Sequence, residues 1–367
     1  MKIGLILDDT LDSTDGVQQY VLLLGEWLTN NGHEVHYLVG SSSRTDIGNI
    51  HSLTTNIKVS FNKNKMTVPL PANSKKIQNL LKQEKFDILH VQMPFSPQLA
   101  GKIINLTPKT TAIIATFHIA PYSNKVKLAT KALAKLQTKN IKKIDKIISV
   151  STVAKNFAEL TYNIKSEVVP NAIDLRKWQV QKPVKIRYDL VFVGRFVERK
   201  GCIYLLKALK YIKQNIDLKI KAAIVGDGPQ KNKLKKYVKE NQLTDICDFK
   251  GYVSESEKFE ILQSSKVAVY PATGGESFGI VLLEAMAAGA IALAGNNPGY
   301  QTVLGSTSRA IFNPKDEETL AKLIVRTLTN NNLYNDLKRQ QKIILQKYDI
   351  NIVGSDILKI YESILKD

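Results

Sequence analysis

Within the first 39 residues, an apolar run from Lys2 to Leu7 gives way to a polar loop, Asp8 to Gly16. An amphipathic stretch follows to about Asn30, with Val21, Leu24 and Leu28 at helical spacing. Gly32-His-Glu-Val-His-Tyr-Leu-Val39 then turns into a second apolar run. Strand, loop, helix, strand is a βαβ unit, and a helical crossover returns the chain to pair in parallel. The unit repeats. Strand-like runs stand at Asp87–Val91, Thr111–Thr116 and Lys146–Val150, and again at Tyr188–Val193, Lys219–Val225 and Val267–Tyr270. Between the two groups, the polar and basic run Arg176–Arg187 reads as a linker. A chain of 367 residues is long enough for two such domains, each with its own core. Helical segments, from about Asp316 to Lys347 and from Ile352 to Leu365, close the sequence.

A parallel sheet binds ligands at the carboxyl ends of its strands, so the loops there hold the candidate functional residues. Asp15-Gly16 follows the first strand, and Gly16 either lets a phosphate or sugar approach the backbone or only starts the helix. His118 projects from the end of the strand that closes in Ala115-Thr-Phe-His118, where a substrate-orienting group belongs. His90, within a strand body, reads as a satisfied core histidine. His33 and His36 read as turn and strand and His51 as loop, with no metal cluster expected. In the second half, Arg195, Arg199 and Lys200 crowd the loop after Val193. Arg195 offers a planar fork for phosphate and Lys200 a point charge. Gly226-Asp-Gly-Pro229 lacks the third glycine of a dinucleotide fingerprint, and no Gly-x4-Gly-Lys-Ser/Thr loop occurs. Gly251-Tyr-Val-Ser254 follows a strand and is placed to frame a base.

The most informative stretch is Gly274-Gly-Glu-Ser-Phe-Gly279 with the apolar helix after it, stopped at Gly289. Ser277 is expected to cap this helix and Gly279 to allow close backbone approach. Glu276 stands where the free N–H groups and the positive dipole end gather anions. Glu284 lies among Val281, Leu282, Leu283, Ala285 and Met286, where an unpaired carboxylate would cost several kcal/mol, on the order of 2–7. Either it pairs with a lysine or reaches water, or it serves a ligand. The Gly-Gly-Glu-Ser-Phe-Gly run in front of it favours the ligand. A helix N-terminus for phosphate with carboxylates for hydroxyls describes a nucleotide-sugar site.

Composition narrows the setting. Lysine and arginine outnumber aspartate and glutamate 52 to 33, a formal net charge of +19, which implies an acidic partner or only a lysine-rich composition. Two segments combine basic and apolar residues as an anionic membrane surface would require: 61–82, and 125–146, where Lys127, Lys131, Lys135 and Lys139 oppose a stripe of Val126, Ala129, Leu133 and Leu136. Both are also what a helix with a core-facing stripe looks like. Segment 125–146 holds no aromatic residue, which disfavours nucleic acid as the partner. No apolar run is long enough to span a bilayer, and the amino terminus turns acidic too soon for a signal peptide. Cys202 and Cys247, the only cysteines, suit a reducing cytoplasm.

Glu276-x7-Glu284, Gly194-Arg195-x4-Lys200-Gly201, Gly226-Asp-Gly-Pro229, Val169-Pro-Asn171 and the opening Gly16…Gly32-His-Glu-Val35 occur in an order that resembles retaining family-4 glycosyltransferases. Gly16-Val-Gln18, His90-Val-Gln-Met-Pro94 and Ala115-Thr-Phe-His118 resemble the phosphatidylinositol mannosyltransferases in particular. The resemblance implies a GT-B fold: two Rossmann-like, doubly wound domains facing a central cleft. Residues 1–170 would form the acceptor-side domain, with a C-terminal helix 350–367 crossing back onto it, and 171–349 the nucleotide-sugar domain. It implies a metal-independent transfer of a hexose, mannose from GDP-mannose, to a membrane lipid such as phosphatidylinositol, at the inner face of the cell membrane. No cofactor beyond the nucleotide-sugar co-substrate is implied. Arg195 and Lys200 would carry the diphosphate, Glu284 the ribose, and Glu276 with the amides of Phe278, Gly279 and Ile280 the sugar. Gly251 and Val253 would border the donor, Gly16 would approach its diphosphate, His118 the reacting carbon, and Gln18 the acceptor. A soluble glycan or envelope precursor as acceptor, and a nucleotide-sugar epimerase on the same scaffold, are the competing readings.

Overall fold

The structure, a computed structural model, describes residues 1–13, 15–61, 64–121, 123–178 and 184–365. Its contacts divide the chain into two units, Met1–Ala172 with Ile350–Asp367, and Ile173–Asp349.

The first unit opens with β1 (Lys2–Leu7), α1 (Gly16–Asn30), β2 (Glu34–Val39) and β3 (Ile50–Ser52). A hairpin of β4 (Asn56–Phe61) and β5 (Asn64–Pro69) leads to α2 (Ser74–Glu84). Then come β6 (Ile88–Met93), α3 (Ala100–Leu106), β7 (Ala112–Phe117) and α4 (Asn124–Ile141). β8 (Lys146–Ser149), α5 (Thr152–Tyr162) and β9 (Glu167–Val168) complete it. Seven strands form one parallel sheet in the order β3-β2-β1-β6-β7-β8-β9. Its central strands are apolar on both faces, because helices cover both. Ile3, Leu5, Ile88 and Ile114 are wholly buried.

The second unit runs β10 (Tyr188–Val193), α6 (Cys202–Asn215), β11 (Ala222–Val225) and α7 (Lys231–Glu240). β12 (Cys247–Gly251), α8 (Glu255–Gln263), β13 (Ser265–Tyr270) and α9 (Ile280–Ala287) follow. The unit ends with β14 (Ile291–Gly295), α10 (Pro298–Leu304), β15 (Ile311–Phe312), α11 (Glu317–Thr329) and α12 (Asn331–Gln346). The sheet order is β12-β11-β10-β13-β14-β15, again parallel. The last helix, α13 (Ile350–Leu365), belongs to the first unit, where Ile350, Val353, Ile357 and Tyr361 join the core of α1 and β1.

Each sheet grows outward from its first strand and then resumes on that strand's other side. The β1/β6 and β10/β13 boundaries are therefore switch points, where successive loops part and leave a crevice. Doubly wound α/β architecture is thus present twice.

Several local expectations are corrected. The long helical stretch 316–347 is two helices, because Asn330 caps the second by accepting from the Leu333 amide at 3.0 Å. His51 lies in β3 rather than a loop. On α4 the buried residues are Thr130, Ala134 and Gln137, while Leu136 is 74% exposed and Leu128 71%. The expected apolar stripe is therefore rotated, and α4 presents leucines together with lysines to solvent. On α2 the apolar residues Ile77 and Leu81 turn inward. Residues 62 and 63 of the expected membrane segment 61–82, and 179–183 of the expected linker, lie outside the described residues.

Candidate active site

In the second unit, the loops after β10 and β13 flank the switch point. The first ends in a 3-10 turn, Glu198–Lys200. The Thr273 amide donates to the Arg199 carbonyl at 2.9 Å and ties the two loops together. Across this junction Arg199 Nη1 donates to Glu276 Oε1 at 2.5 Å, and Lys200 Nζ to Glu276 Oε2 at 2.9 Å. The Glu276 side chain is 10% exposed and that of Lys200 16%, so these are charges largely withdrawn from water. Two cations against one carboxylate leave positive charge to spare. Arg195 stands exposed on the same loop.

That charge lies beside the start of α9. The helix begins at Ile280 with Gly279 as its cap, not Ser277. Gly279 has φ of 123°, and a Cβ there would stand 2.7 Å from Tyr300 Cδ1, so the position admits glycine alone. Phe278 is buried with its ring edge-on to Tyr348 at 5.3 Å, which anchors the turn. The amides of Phe278, Gly279 and Ile280 donate to no acceptor among the described residues. Surplus cation and unspent amides together suit an anionic ligand. A Cβ at Gly299 would fall 2.1 Å from the Glu276 carbonyl oxygen, so α10 closes directly onto this loop.

Glu284 has found the lysine that the plainer of the two sequence readings required. Lys258 Nζ donates to Glu284 Oε1 at 2.8 Å and also pairs with Glu255 at 2.7 Å. Burial works against the Lys258 ammonium, but the carboxylates of Glu284 and Glu255 outweigh it and raise its pKa. Both side chains are 13% exposed. Burial of Glu284 is therefore no longer by itself an argument for a ligand there. Gly251 ends β12 with φ of 73°, and its carbonyl accepts from the Gly226 amide at 2.8 Å, which joins two more carboxyl-end loops. Val253 lies half-buried just beyond it.

The first unit brings together a different set. His118 follows β7 and is buried. Its Nε2 lies 2.7 Å from Gln92 Oε1, and the Gln92 amide nitrogen faces the His90 carbonyl at 3.5 Å. That orientation makes Nε2 the donor and leaves Nδ1 an acceptor. Burial drives the His118 pKa down to about 3, so the ring is neutral. Tyr20 packs edge-on against it at 4.9 Å. His90 is the satisfied core histidine expected, with Nδ1 2.6 Å from Tyr361 Oη and Nε2 2.6 Å from Thr116 Oγ1. Thr116 in turn meets Tyr20 Oη at 3.2 Å. Gln18 is buried, and its amide donates to Asp9 at 2.9 Å, which leaves its carbonyl oxygen to act. Gly16 is exposed at the start of α1, and a Cβ there would meet nothing within 4 Å. The chain itself does not require glycine at that position.

Against expectation, His36 and His51 meet, and with Glu84 they bring ligand-type atoms within 4.8 Å of one another. His36 Nδ1 lies 2.8 Å from His51 Nε2, and His36 Nε2 lies 2.9 Å from Glu34. Lys2 Nζ pairs with Glu34 at 2.9 Å and Glu84 at 3.0 Å. Its ammonium supplies the positive charge a cation would bring, so the cluster is satisfied as it stands. His33 stands apart, near the amino terminus.

Sequence reading missed the partners more than the residues. Lys258 carried no signal of its own, and Gln92 and Asp9 stood inside a quoted motif and a polar carboxyl-end loop without a role assigned to either. Arg199 had a signal, its place beside Lys200 in a carboxyl-end loop.

The chain matches two family profiles, described as "Glycosyltransferase Family 4" over residues 14–177 and "Glycosyl transferases group 1" over residues 176–343. It is 28% identical over 379 residues to a phosphatidyl-myo-inositol mannosyltransferase of Mycolicibacterium smegmatis, covering 99% of this chain and 94% of the relative. Among solved structures it is similar to a glycosyltransferase from Rickettsia africae, with TM-score 0.76, 18% identity, and coverage of 100% and 99%. It is also similar to HepE of Anabaena, solved with UDP and glucose, with TM-score 0.73, 13% identity, and coverage of 99% and 100%. With two doubly wound units and two profiles meeting at the boundary between them, the chain belongs to the family-4 glycosyltransferases of GT-B fold.

Proposed function

We propose that this glycosyltransferase moves mannose from GDP-mannose to phosphatidylinositol, with retention at the anomeric carbon and at the inner membrane face. The observation that carries the donor half is the Arg199–Lys200–Glu276 cluster beside the unspent α9 amides. The acceptor half draws support from the name of the near full-length relative. A nucleotide-activated sugar also suits the UDP and glucose of the Anabaena neighbour.

In this reading Lys200 and Arg195 take the diphosphate and meet the charge that grows on it as the sugar bond breaks. Glu276 and the amides of Phe278, Gly279 and Ile280 hold the sugar. Glu284 takes the ribose, and Gly251 and Val253 border the base. In the first unit, Gly16 serves the diphosphate, and neutral His118 accepts a hydrogen bond from the sugar through Nδ1. The carbonyl of Gln18 serves the acceptor. The acceptor hydroxyl forms the new bond on the face the diphosphate leaves, and its proton passes to the departing phosphate oxygen. Cations and amides carry the leaving-group charge, so no metal enters this scheme. No helix among the described residues is long and apolar enough to cross a membrane, and basic segments 61–82 and 125–146 would make the contact.

A thermal-shift panel of nucleoside diphosphates tests the donor. GDP should stabilise the protein more than UDP or ADP, and a shift with UDP alone would overturn the guanine assignment. Glu276→Ala should lower mannosyl transfer about 100-fold or more while GDP still binds, since the loss falls on the transition state. Full turnover in that variant would remove Glu276 from the scheme.

A further inference from the structure

At the opposite edge of the first unit's sheet, a cavity of about 1000 Å³ opens between the carboxyl-terminal ends of α4 and α5 and the start of β8. Five lysines line it: Lys135, Lys142, Lys146, Lys155 and Lys165. Its two carboxylates are occupied. Asp145 accepts from the Ile113 amide at 2.7 Å, and Glu167 pairs with Lys146 at 2.9 Å. The other four lysines have no carboxylate partner among the described residues. The ends of α4 and α5 add about half a negative charge each, which five ammonium groups still exceed.

A second observation points inward. Tyr162 lines the same cavity, is 8% exposed, and its hydroxyl has no hydrogen-bond partner among the described residues. Its ring is fixed edge-on to Phe117 at 5.6 Å. Burial pushes the hydroxyl's pKa up, so it keeps its proton as a donor. A buried donor with nothing to bind is costly, about 1–3 kcal/mol, and a ligand acceptor would relieve it.

The cavity is distinct from the candidate active site. Lys146 pairs in register with Ile114, four residues before His118, which is about 13 Å along the strand. It sits at the amino end of β8, whereas His118 follows the carboxyl end of β7.

We propose that this cavity is a second ligand site, taking a phosphate ester through its lysines and the Tyr162 hydroxyl. The volume is many times that of a phosphate group, so it also has room for a polar body such as a glycerol or polyol. The proposal stands independently of the donor and acceptor assigned above. The same ester chemistry is available from a free metabolite or from a phospholipid headgroup.

Both sources are tested with the full chain. Glycerol 3-phosphate is titrated by calorimetry, and vesicles of phosphatidylcholine with or without phosphatidylglycerol are used for cosedimentation. The lining variant carries Lys142→Gln, Lys155→Gln and Lys165→Gln. A charge-matched control carries Lys219→Gln, Lys233→Gln and Lys239→Gln, exposed lysines of the second unit outside the cavity. The lining variant should weaken binding about tenfold or more and the control less than about threefold, because surface charge alone acts weakly. Tyr162→Phe, which removes only the hydroxyl, should weaken it about threefold. Binding of the soluble ester, lost in the lining variant, supports the site with a free ester sufficient. Binding of anionic vesicles alone, lost in the lining variant and kept in the control, supports it with lipid as the source. No binding of either probe, or equal losses in lining and control variants, overturns it.

Discussion

The two units solve the burial of polar groups in opposite ways. The first unit's polar centre is neutral: His118, Gln92, His90, Thr116, Tyr20 and Tyr361 exchange hydrogen bonds with no formal charge among them. The second unit's is ionic: Glu276 held by Arg199 and Lys200, and Glu284 held by Lys258. A neutral network fixes which atom donates and which accepts, and so suits hydroxyl recognition. An ionic one stores charge that a ligand's own charge can compete for, and so suits a diphosphate. The same sheet topology supports both, because the difference lies in the side chains that β6, β7, α1 and α13 bring together in the first unit and that α8, α9 and the loops after β10 and β13 bring together in the second.

The sharpest test of the contrast is Lys258→Met. It leaves Glu284 buried beside apolar residues with its partner gone, and should cost the second unit about 3–5 kcal/mol. Each unit contains one tryptophan, Trp27 and Trp178. Urea denaturation followed by Trp178 fluorescence in a Trp27→Phe background therefore reads the second unit. A loss below about 1 kcal/mol would mean that Glu284 is not confined as the ion pair implies.

Acid comes next. Burial lowers the pKa of His90 and of His118 to about 3, from an ordinary value near 6.5. Folded pKa values depressed in this way give stability that is full above about 6.5 and is lost as pH falls toward 3. The two rings together should cost the first unit about 3 kcal/mol between pH 6.5 and 5. Trp27 fluorescence in a Trp178→Phe background reports it. Replacing His90 with Gln should flatten that slope by about half, and an unchanged slope would show that other groups carry the acid response.

The smallest effect belongs to Tyr20→Phe. It removes one neutral hydrogen bond to Thr116 and should cost about 1 kcal/mol. The loss should be insensitive to salt between 0.05 and 0.5 M, roughly a threefold change in screening length. Salt dependence as large as that of the second unit's ion pairs would erase the distinction between the two centres.

The sequence made the architecture legible because its signals are local. Apolar runs of strand length, helical spacing at Val21, Leu24 and Leu28, and polar loops between them need no knowledge of distant residues. The same logic put Gly16, His118, Arg195, Lys200 and Glu276 in carboxyl-end loops, and the glycine at 279 before a helix. Where burial was inferred from type alone it failed on α4: Leu136 faces solvent while Thr130 and Gln137 are buried. A helix so rich in lysine and alanine has too weak an apolar pattern to fix its own rotation.

What the chain alone determined is therefore periodicity, and with it two parallel sheets and the loops able to carry chemistry. Only the tertiary structure decided pairing. Arg199 meets Glu276 across 77 residues, Lys258 meets Glu284 across 26, and His90 meets Tyr361 across 271. A charge or a hydroxyl has no period, and its energy depends on a distance and a degree of burial that exist only once the sheets have formed.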